Sequence, residues 1–231
     1  MPPGSKPTVV ITGANRGIGL EFARRFGADR WRVHAAVRDP DSAEDLKALD
    51  GDVVVHPVDV TSDLQVREFA DSLAGAPVDL LINNAGIIGP RGLTLDDMDF
   101  GAWVEVLRVN ALSPVRMLGA LLPNLEAGGR KMVVNITSRM GSIGTAGGGS
   151  YVYRSSKAAL NAAMKNIALD LADRGLTVVM IHPGWVSTDM GGASAPVTPE
   201  DSVTGMLSLI DSLGPSDTGR FFDYQGETIP W

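Results

Sequence analysis

The chain has no cysteine. Disulfides and cysteine-ligated metals are excluded, and the composition suits a reducing compartment such as the cytoplasm. It also lacks an excess of positive charge. Against 27 Asp and Glu stand 20 Lys and Arg, a net charge of −7, which is the wrong sign for an electrostatic nucleic-acid footprint. No apolar run is long enough to cross a bilayer. The stretch Met1 to Pro7 lacks the apolar core of a signal peptide. With Pro2, Pro3, Gly4 and Pro7 it reads as a flexible lead-in to a soluble, cytoplasmic protein. The three histidines, His34, His56 and His182, fall on or at the ends of strand-like runs without metal-ligand spacing. Buried, hydrogen-bonded histidines are the better account, and no metal site is expected. No serine sits in a Gly-x-Ser-x-Gly elbow, so hydrolase chemistry has no support. There is no linker, internal repeat or low-complexity segment.

What remains is 231 residues, 44% hydrophobic and 20% charged, ample for one buried core. Short β-branched apolar runs predict strands at Thr8–Thr12, Arg32–Val37, Val53–Pro57, Val78–Ile82, Lys131–Ile136, Thr177–His182 and, more weakly, Gly219–Phe222. Between them, helices are predicted at Ile18–Ala28, Ala43–Ala48, Leu64–Leu73, Trp103–Leu125, Val152–Ala172 and Glu200–Leu213, the last capped by Thr198 with Pro199 in its first turn. Strands apolar on both faces and alternating with helices imply a parallel sheet covered on both sides. Right-handed crossovers then give a three-layer, doubly wound, Rossmann-like α/β fold with a mainly parallel seven-stranded sheet, as one domain over 1–231. The loosest regions are the glycine-rich Gly141–Ser150 and the stretch Gly191–Pro196.

The first strand runs directly into Thr12-Gly13-Ala14-Asn15-Arg16-Gly17-Ile18-Gly19 and then a helix. Glycines there let the backbone turn sharply and admit a pyrophosphate to the helix N-terminus, where free amides and the dipole favour an anion. The context of strand, turn and helix predicts a dinucleotide site. Further along, Tyr153 and Lys157 are four residues apart and share one helix face. A free tyrosine titrates near pKa 10, and an adjacent ammonium is expected to lower that value into a useful range. Tyr151 is the rival phenol, but it has no lysine four residues beyond it.

The glycine spacing Gly13-x-x-x-Gly17-x-Gly19, the tetrad Asn83-Asn84-Ala85-Gly86 after the fourth strand, the Tyr153-x-x-x-Lys157 pair and Pro183-Gly184 after the sixth strand occur in one order. Together, from about Thr8 to Thr188, they resemble the short-chain dehydrogenase/reductase family. The forms Tyr151 to Lys157 and His182 to Gly192, with the tail from Gly219, are similar to the sniffer and C-factor-like carbonyl reductases within it. The resemblance implies a catalytic set of Asn110, Ser138, Tyr153 and Lys157. In it Tyr153 is the acid/base, Ser138 steadies the substrate oxygen, Lys157 also bonds the nicotinamide ribose, and Asn110 holds a water beside the lysine. It further implies cofactor contacts from Gly13, Asn15, Arg16, Gly17, Ile18, Gly19, Asp59, Val60, Asn84, Ala85, Gly86, Pro183, Gly184, Val186 and Thr188, with the last two at the carboxamide. A second reading of Asp59 is a helix cap, since Thr61 and Ser62 follow.

Cofactor choice turns on the end of the second strand. A site for NAD places an acid there for the ribose 2′-hydroxyl. Here Val37 occupies that position and Arg38 follows, able to fork onto a 2′-phosphate, with Arg16 as a second cation. The cofactor expected is NADP(H). Asp39 could approach the ribose if the register slips by two. Trp185 either faces substrate or packs, and the few residues from Met190 to Thr198 imply a short lid over an open site. The expected function is NADP(H)-dependent hydride transfer between nicotinamide and a carbonyl or alcohol. A nucleotide-binding signalling or sensor protein with incidental turnover is the alternative. The partners expected are a small-molecule substrate and further copies of the chain, as a dimer or tetramer through the helices at Asn110–Leu122 and Val152–Ala172, with neither nucleic acid nor membrane.

Overall fold

The computed structural model describes residues 6–231, so most of the expected flexible lead-in over 1–7 lies outside the described residues. The strands are β1 (Thr8–Thr12), β2 (Arg32–Val37), β3 (Asp52–Pro57), β4 (Leu80–Asn83), β5 (Met132–Ile136), β6 (Thr177–His182) and β7 (Phe221–Asp223). They form one seven-stranded sheet in the order β3-β2-β1-β4-β5-β6-β7, and every pairing is parallel. β7 starts two residues later than expected because Gly219 turns the chain at φ +74° before it can extend.

Alternation along the strands divides the core into two layers. Val9, Ile11, Leu80, Ile82, Val134 and Ile181 face one side, where they meet α1 (Gly17–Ala28) and α7 (Pro199–Ser212) through Phe22, Phe26, Met206 and Ile210. Val10, Leu81, Val133 and Met180 face the other, against α3 (Asp63–Ser72), α5 (Ser113–Ala127) and α6 (Tyr151–Leu171) through Phe69, Met117, Leu121, Leu160 and Met164. A period of two with apolar residues at both phases is what a strand buried on both faces requires. Leu81 is completely buried, and truncating such a leucine to alanine typically costs about 2–5 kcal/mol. The short α2 (Glu44–Lys47) covers the edge near β3. Thr198 caps α7 by accepting from the Asp201 amide, with Pro199 in the first turn. No helix among the described residues is long and apolar enough to cross a membrane.

The single helix expected over Trp103–Leu125 is in fact broken. α4 (Phe100–Leu107) leads into a π-turn at Arg108–Leu112 before α5 begins. The Ser113 amide returns to the Arg108 carbonyl five residues back, and Ser113 Oγ donates to the same oxygen at 2.9 Å. Pro114 has no N–H to give the carbonyl of Asn110, so the regular ladder cannot pass through this turn.

Candidate active site

The chain winds from β1 outward to β3, then returns to lay β4 on the other side of β1. That reversal opens a crevice at the carboxyl ends of β1 and β4. A cleft of about 560 Å³ occupies it, running from Arg38 and Ser42 at one end to Tyr153, Lys157 and Pro183 at the other.

Thr12 ties its floor together: its hydroxyl accepts from the amides of Asn84 and Ala85, each at 3.0 Å, while Asn84 Nδ2 donates to the carbonyls of Thr12 and Gly13. Gly13 sits at φ +65°, and a Cβ there would lie 2.9 Å from the Ala85 Cα. Only glycine satisfies both conditions. α1 then starts at Gly17 with no side chain capping its first turn. An uncapped helix N-terminus facing a cleft, behind a turn too tight for a side chain, fits a pyrophosphate.

At the outer end Val37 is buried, while Arg38 lines the cleft and makes no ion pair among the described residues. Asp39 also lines the cleft, but its carboxylate accepts from the Asp41 amide at 3.0 Å, capping a short 3₁₀ turn. Asp59 also lines the cleft, and its Oδ1 accepts from the amide and hydroxyl of Thr61, both at 2.8 Å. The helix-cap reading of Asp59 is corrected here, because the cap of α3 is Ser62, which accepts from the Gln65 amide. Burial works to raise the Asp59 pKa, but the bonds from Thr61 and the nearby Arg38 hold it below the usual carboxylate range.

At the inner end the helix α6 brings Tyr153 and Lys157 to the cleft on successive turns. Lys157 Nζ donates to the Ile136 carbonyl at 2.9 Å and lies 5.9 Å from the centre of the Tyr153 ring. Ser138, in the loop after β5, accepts from the Met140 amide at 3.1 Å and stands near enough to the phenol to favour its charged form. The expected acidification of Tyr153 does not occur in this cleft. Burial around the hydroxyl pushes the phenol up to about 12, and the neighbouring Ser138 only partly opposes it. Burial also pushes Lys157 down to about 8. Both shifts have one cause, since a low-dielectric site disfavours whichever form is charged.

Asn110, held in the π-turn, is fully buried behind the cleft. Its Oδ1 accepts from the Ile87 amide at 2.9 Å, and its Nδ2 donates to the Ile87 carbonyl at 2.8 Å and to Ser156 Oγ at 2.9 Å. A Cβ on Gly86 would lie 3.3 Å from Asn110 Oδ1 and 3.6 Å from Lys157 Nζ. Glycine at 86 is thus what leaves the space between these two polar groups open.

Among the expected cofactor contacts, Gly13, Asn15, Arg16, Gly17, Ile18, Arg38, Asp59, Val60, Asn84, Ala85, Gly86, Tyr153, Lys157, Pro183 and Thr188 line the cleft, whereas Gly19, Gly184 and Val186 do not. Gly19 packs beneath Asn84, Gly184 turns at φ +87° against Tyr224, and Val186 is buried. Ile87, Ser187 and Asp189 also line the cleft, and no motif singled them out. Trp185 is exposed and off the cleft wall, its indole N–H held by the Gly191 carbonyl at 2.9 Å. Among the histidines, His34 Nδ1 and His56 Nε2 meet at 2.9 Å. His182 departs from expectation, because its Nδ1 is buried without a hydrogen-bond partner among the described residues. Among those residues no cluster of His, Cys, Asp or Glu could hold a metal.

A model of the short chain dehydrogenase family matches residues 7–197. The C-signal protein of Myxococcus xanthus is 48% identical over 167 residues, 72% of this chain and 100% of that protein. In three dimensions, the NADPH-bound carbonyl reductase from chicken fatty liver superposes with a TM-score of 0.91 at 34% identity, covering 98% of this chain and 99% of that one. The carbonyl reductase Sniffer of D. melanogaster gives 0.91 at 30% identity over 98% and 100%. Fold, motif order and matched length agree: the chain belongs to the short-chain dehydrogenase/reductase family.

Proposed function

We propose that the chain is an NADP(H)-dependent carbonyl reductase or alcohol dehydrogenase. The observation that carries this is a single cleft with the Arg38 guanidinium, in no ion pair among the described residues, at one end and the Tyr153 phenol beside Lys157 at the other. The NADPH in the similar chicken enzyme supports the same cofactor. In this reading Asn15, Gly17 and Ile18 carry the pyrophosphate on backbone amides, Gly13 makes the tight turn that brings it close while its own amide bonds the Ala36 carbonyl at 2.8 Å, and Gly19 packs the helix beneath. Arg38 and Arg16 take the 2′-phosphate. Asp59 and Val60 take the adenine, with Asn84, Ala85 and Gly86 beside it. Pro183, Gly184, Val186 and Thr188 border the nicotinamide, Val186 from behind the wall.

When bound, the nicotinamide supplies hydride. The chain's own groups handle the proton. Tyr153, un-ionised at neutral pH, donates its O–H to the substrate oxygen as negative charge develops there. Ser138 donates a second hydrogen bond to that oxygen. Lys157 and Asn110 border the space from which the phenol is reprotonated. Preorganised donors act most strongly in such a buried site.

The kinship with C-signal favours a second reading, a nucleotide-binding signalling protein with incidental turnover. The experiment that separates them follows NADPH oxidation against a panel of aldehydes, ketones and quinones, repeated with Tyr153→Phe. Turnover that falls about 10²–10⁴-fold in the variant supports the reductase. Tight NADPH binding with no turnover on any carbonyl supports the sensor. We also propose self-association through the outer faces of the helices at Asn110–Leu122 and Val152–Ala172, where Leu112 and Leu169 are exposed; light scattering at micromolar concentration tests it.

A further inference from the structure

Arg16 has a partner. Its Nη1 lies 2.9 Å from Asp189 Oδ2, and both residues line the cleft. The pair joins the loop after β1 to the loop after β6 across 173 positions of sequence.

Asp189 is presented to Arg16 by a braced segment. At its base Val186 pairs with Val197, and the Ser187 amide donates to the Val197 carbonyl at 2.8 Å. Inside it, the amides of Gly191 and Gly192 bond Thr188 at 3.2 and 2.8 Å. From outside, Arg91 Nη2 donates to the Met190 carbonyl at 2.6 Å. The glycine loop touches the same segment directly, since a Cβ on Gly17 would lie 3.1 Å from Thr188 Cγ2. These contacts hold the backbone of the segment, and so the base of the Asp189 side chain, beside the loop that carries Arg16.

The ion pair itself is loose. The side chains are 71% and 78% exposed, and pairs in that setting are weak. Arg16 caps α1 in extended backbone, φ −159° and ψ 167°, so its anchor is fixed while its guanidinium remains free to swing. Arg38, the other guanidinium of the cleft, makes no ion pair among the described residues.

We propose that Asp189 competes with the cofactor's 2′-phosphate for Arg16, and so sets how strongly the site prefers a phosphorylated over an unphosphorylated nicotinamide dinucleotide. This rests on the NADP(H) reading above. A phosphate offers more charge and more acceptor oxygens than a carboxylate and draws a guanidinium bidentately. It therefore wins the competition, at a cost equal to breaking the Arg16–Asp189 pair. NADH brings no 2′-phosphate and leaves the pair intact. Asp189 thus subtracts from NADPH affinity selectively.

The test measures dissociation constants for NADPH and NADH by cofactor fluorescence on the unaltered chain, Asp189→Asn, Arg16→Gln and the double variant. Losing a weak exposed pair corresponds to about a two- to fivefold rise in the NADPH-over-NADH preference for Asp189→Asn. In the Arg16→Gln background the same substitution leaves the preference unchanged. A preference that falls or stays level in Asp189→Asn overturns the proposal. So does an equal rise with and without Arg16, which would make Asp189 a general repulsive charge. If the unaltered chain binds no NADPH, the cofactor reading falls and takes this inference with it. Normal NADPH binding that is indifferent to Asp189 removes this inference alone.

Discussion

Lys157 Nζ bonds the Ile136 carbonyl at 2.9 Å while standing 5.9 Å from the centre of the Tyr153 ring. The amine is anchored to the end of β5 and aimed past the phenol, in surroundings that burial has made hostile to charge on either group. Tyr153 is pushed up to about 12 and Lys157 down to about 8. In the proposed carbonyl reduction the phenol is the proton donor, and it stays protonated across the working range. The lysine loses its proton as pH rises through about 8. The rate of carbonyl reduction, as kcat/KM, is therefore expected to be level from pH 6 to 7.5 and to fall above about 8 with loss of a single proton. A pH–rate profile checks this. A level profile to pH 10 would detach the lysine charge from the chemistry.

Asn110 is a positioning residue. Its side chain satisfies both the amide and the carbonyl of Ile87, next to Gly86 and the lysine. Asn110→Ala leaves those half-buried groups without their partner, at up to about 1–3 kcal/mol each. The variant is expected to lose that stability in urea unfolding and also to shift the high-pH limb of the rate profile. Loss of stability with an unmoved limb would leave Asn110 a structural residue only.

On the proposed reading Arg38 carries the choice of cofactor at the outer end. It lines the cleft, makes no ion pair among the described residues, and stands beside a carboxylate, Asp39, already committed to the Asp41 amide. Charge-assisted hydrogen bonds contribute about 1.5–3 kcal/mol. Arg38→Ala is accordingly expected to weaken NADPH about 10- to 100-fold while NADH changes little. Equal weakening of both would place the 2′-phosphate elsewhere.

Much of this was readable from residues alone, because the relevant signals are local. Strands such as Thr8–Thr12 and Thr177–His182 are short apolar runs with no polar phase, and β1, β2 and β6 begin and end where those runs do. The glycine loop and the Tyr153/Lys157 pair are spacings within one turn or one helix. What escaped depends on residues distant in sequence or on the dielectric. The Arg16–Asp189 contact joins positions 173 apart. The π-turn at Asn110 follows from one missing amide at Pro114, inside a stretch whose apolar period is otherwise helical. The direction of the Tyr153 shift is hidden from the sequence because a neighbouring lysine is visible there and burial is not.

The histidines give stability a pH dependence of predictable sign. His34 and His56 face each other at 2.9 Å across β2 and β3, and His182 ends β6 with Nδ1 unpartnered. Burial, helped for His34 by His56 and Arg32 and opposed by Asp52, holds His34 down at about 4. Burial lowers His56 as well. Burial and Arg139, opposed by Asp223, hold His182 at about 4. The unfolded chain protonates these rings near pH 6.5. From about 7.5 downward it therefore binds more protons than the folded chain, so stability declines as pH falls towards 4 and these groups add nothing further below that. The window from pH 7 to 5 isolates them, because Lys157, held at about 8, titrates above it and the lowered carboxylates such as Asp52 and Asp59 begin to matter only at lower pH. Urea midpoints are expected to drop steadily across that window and to drop less steeply in His34→Val, which removes one ring and relieves the other of its neighbour. An unchanged slope in that variant would shift the effect to His182 and rule out the paired rings as its source.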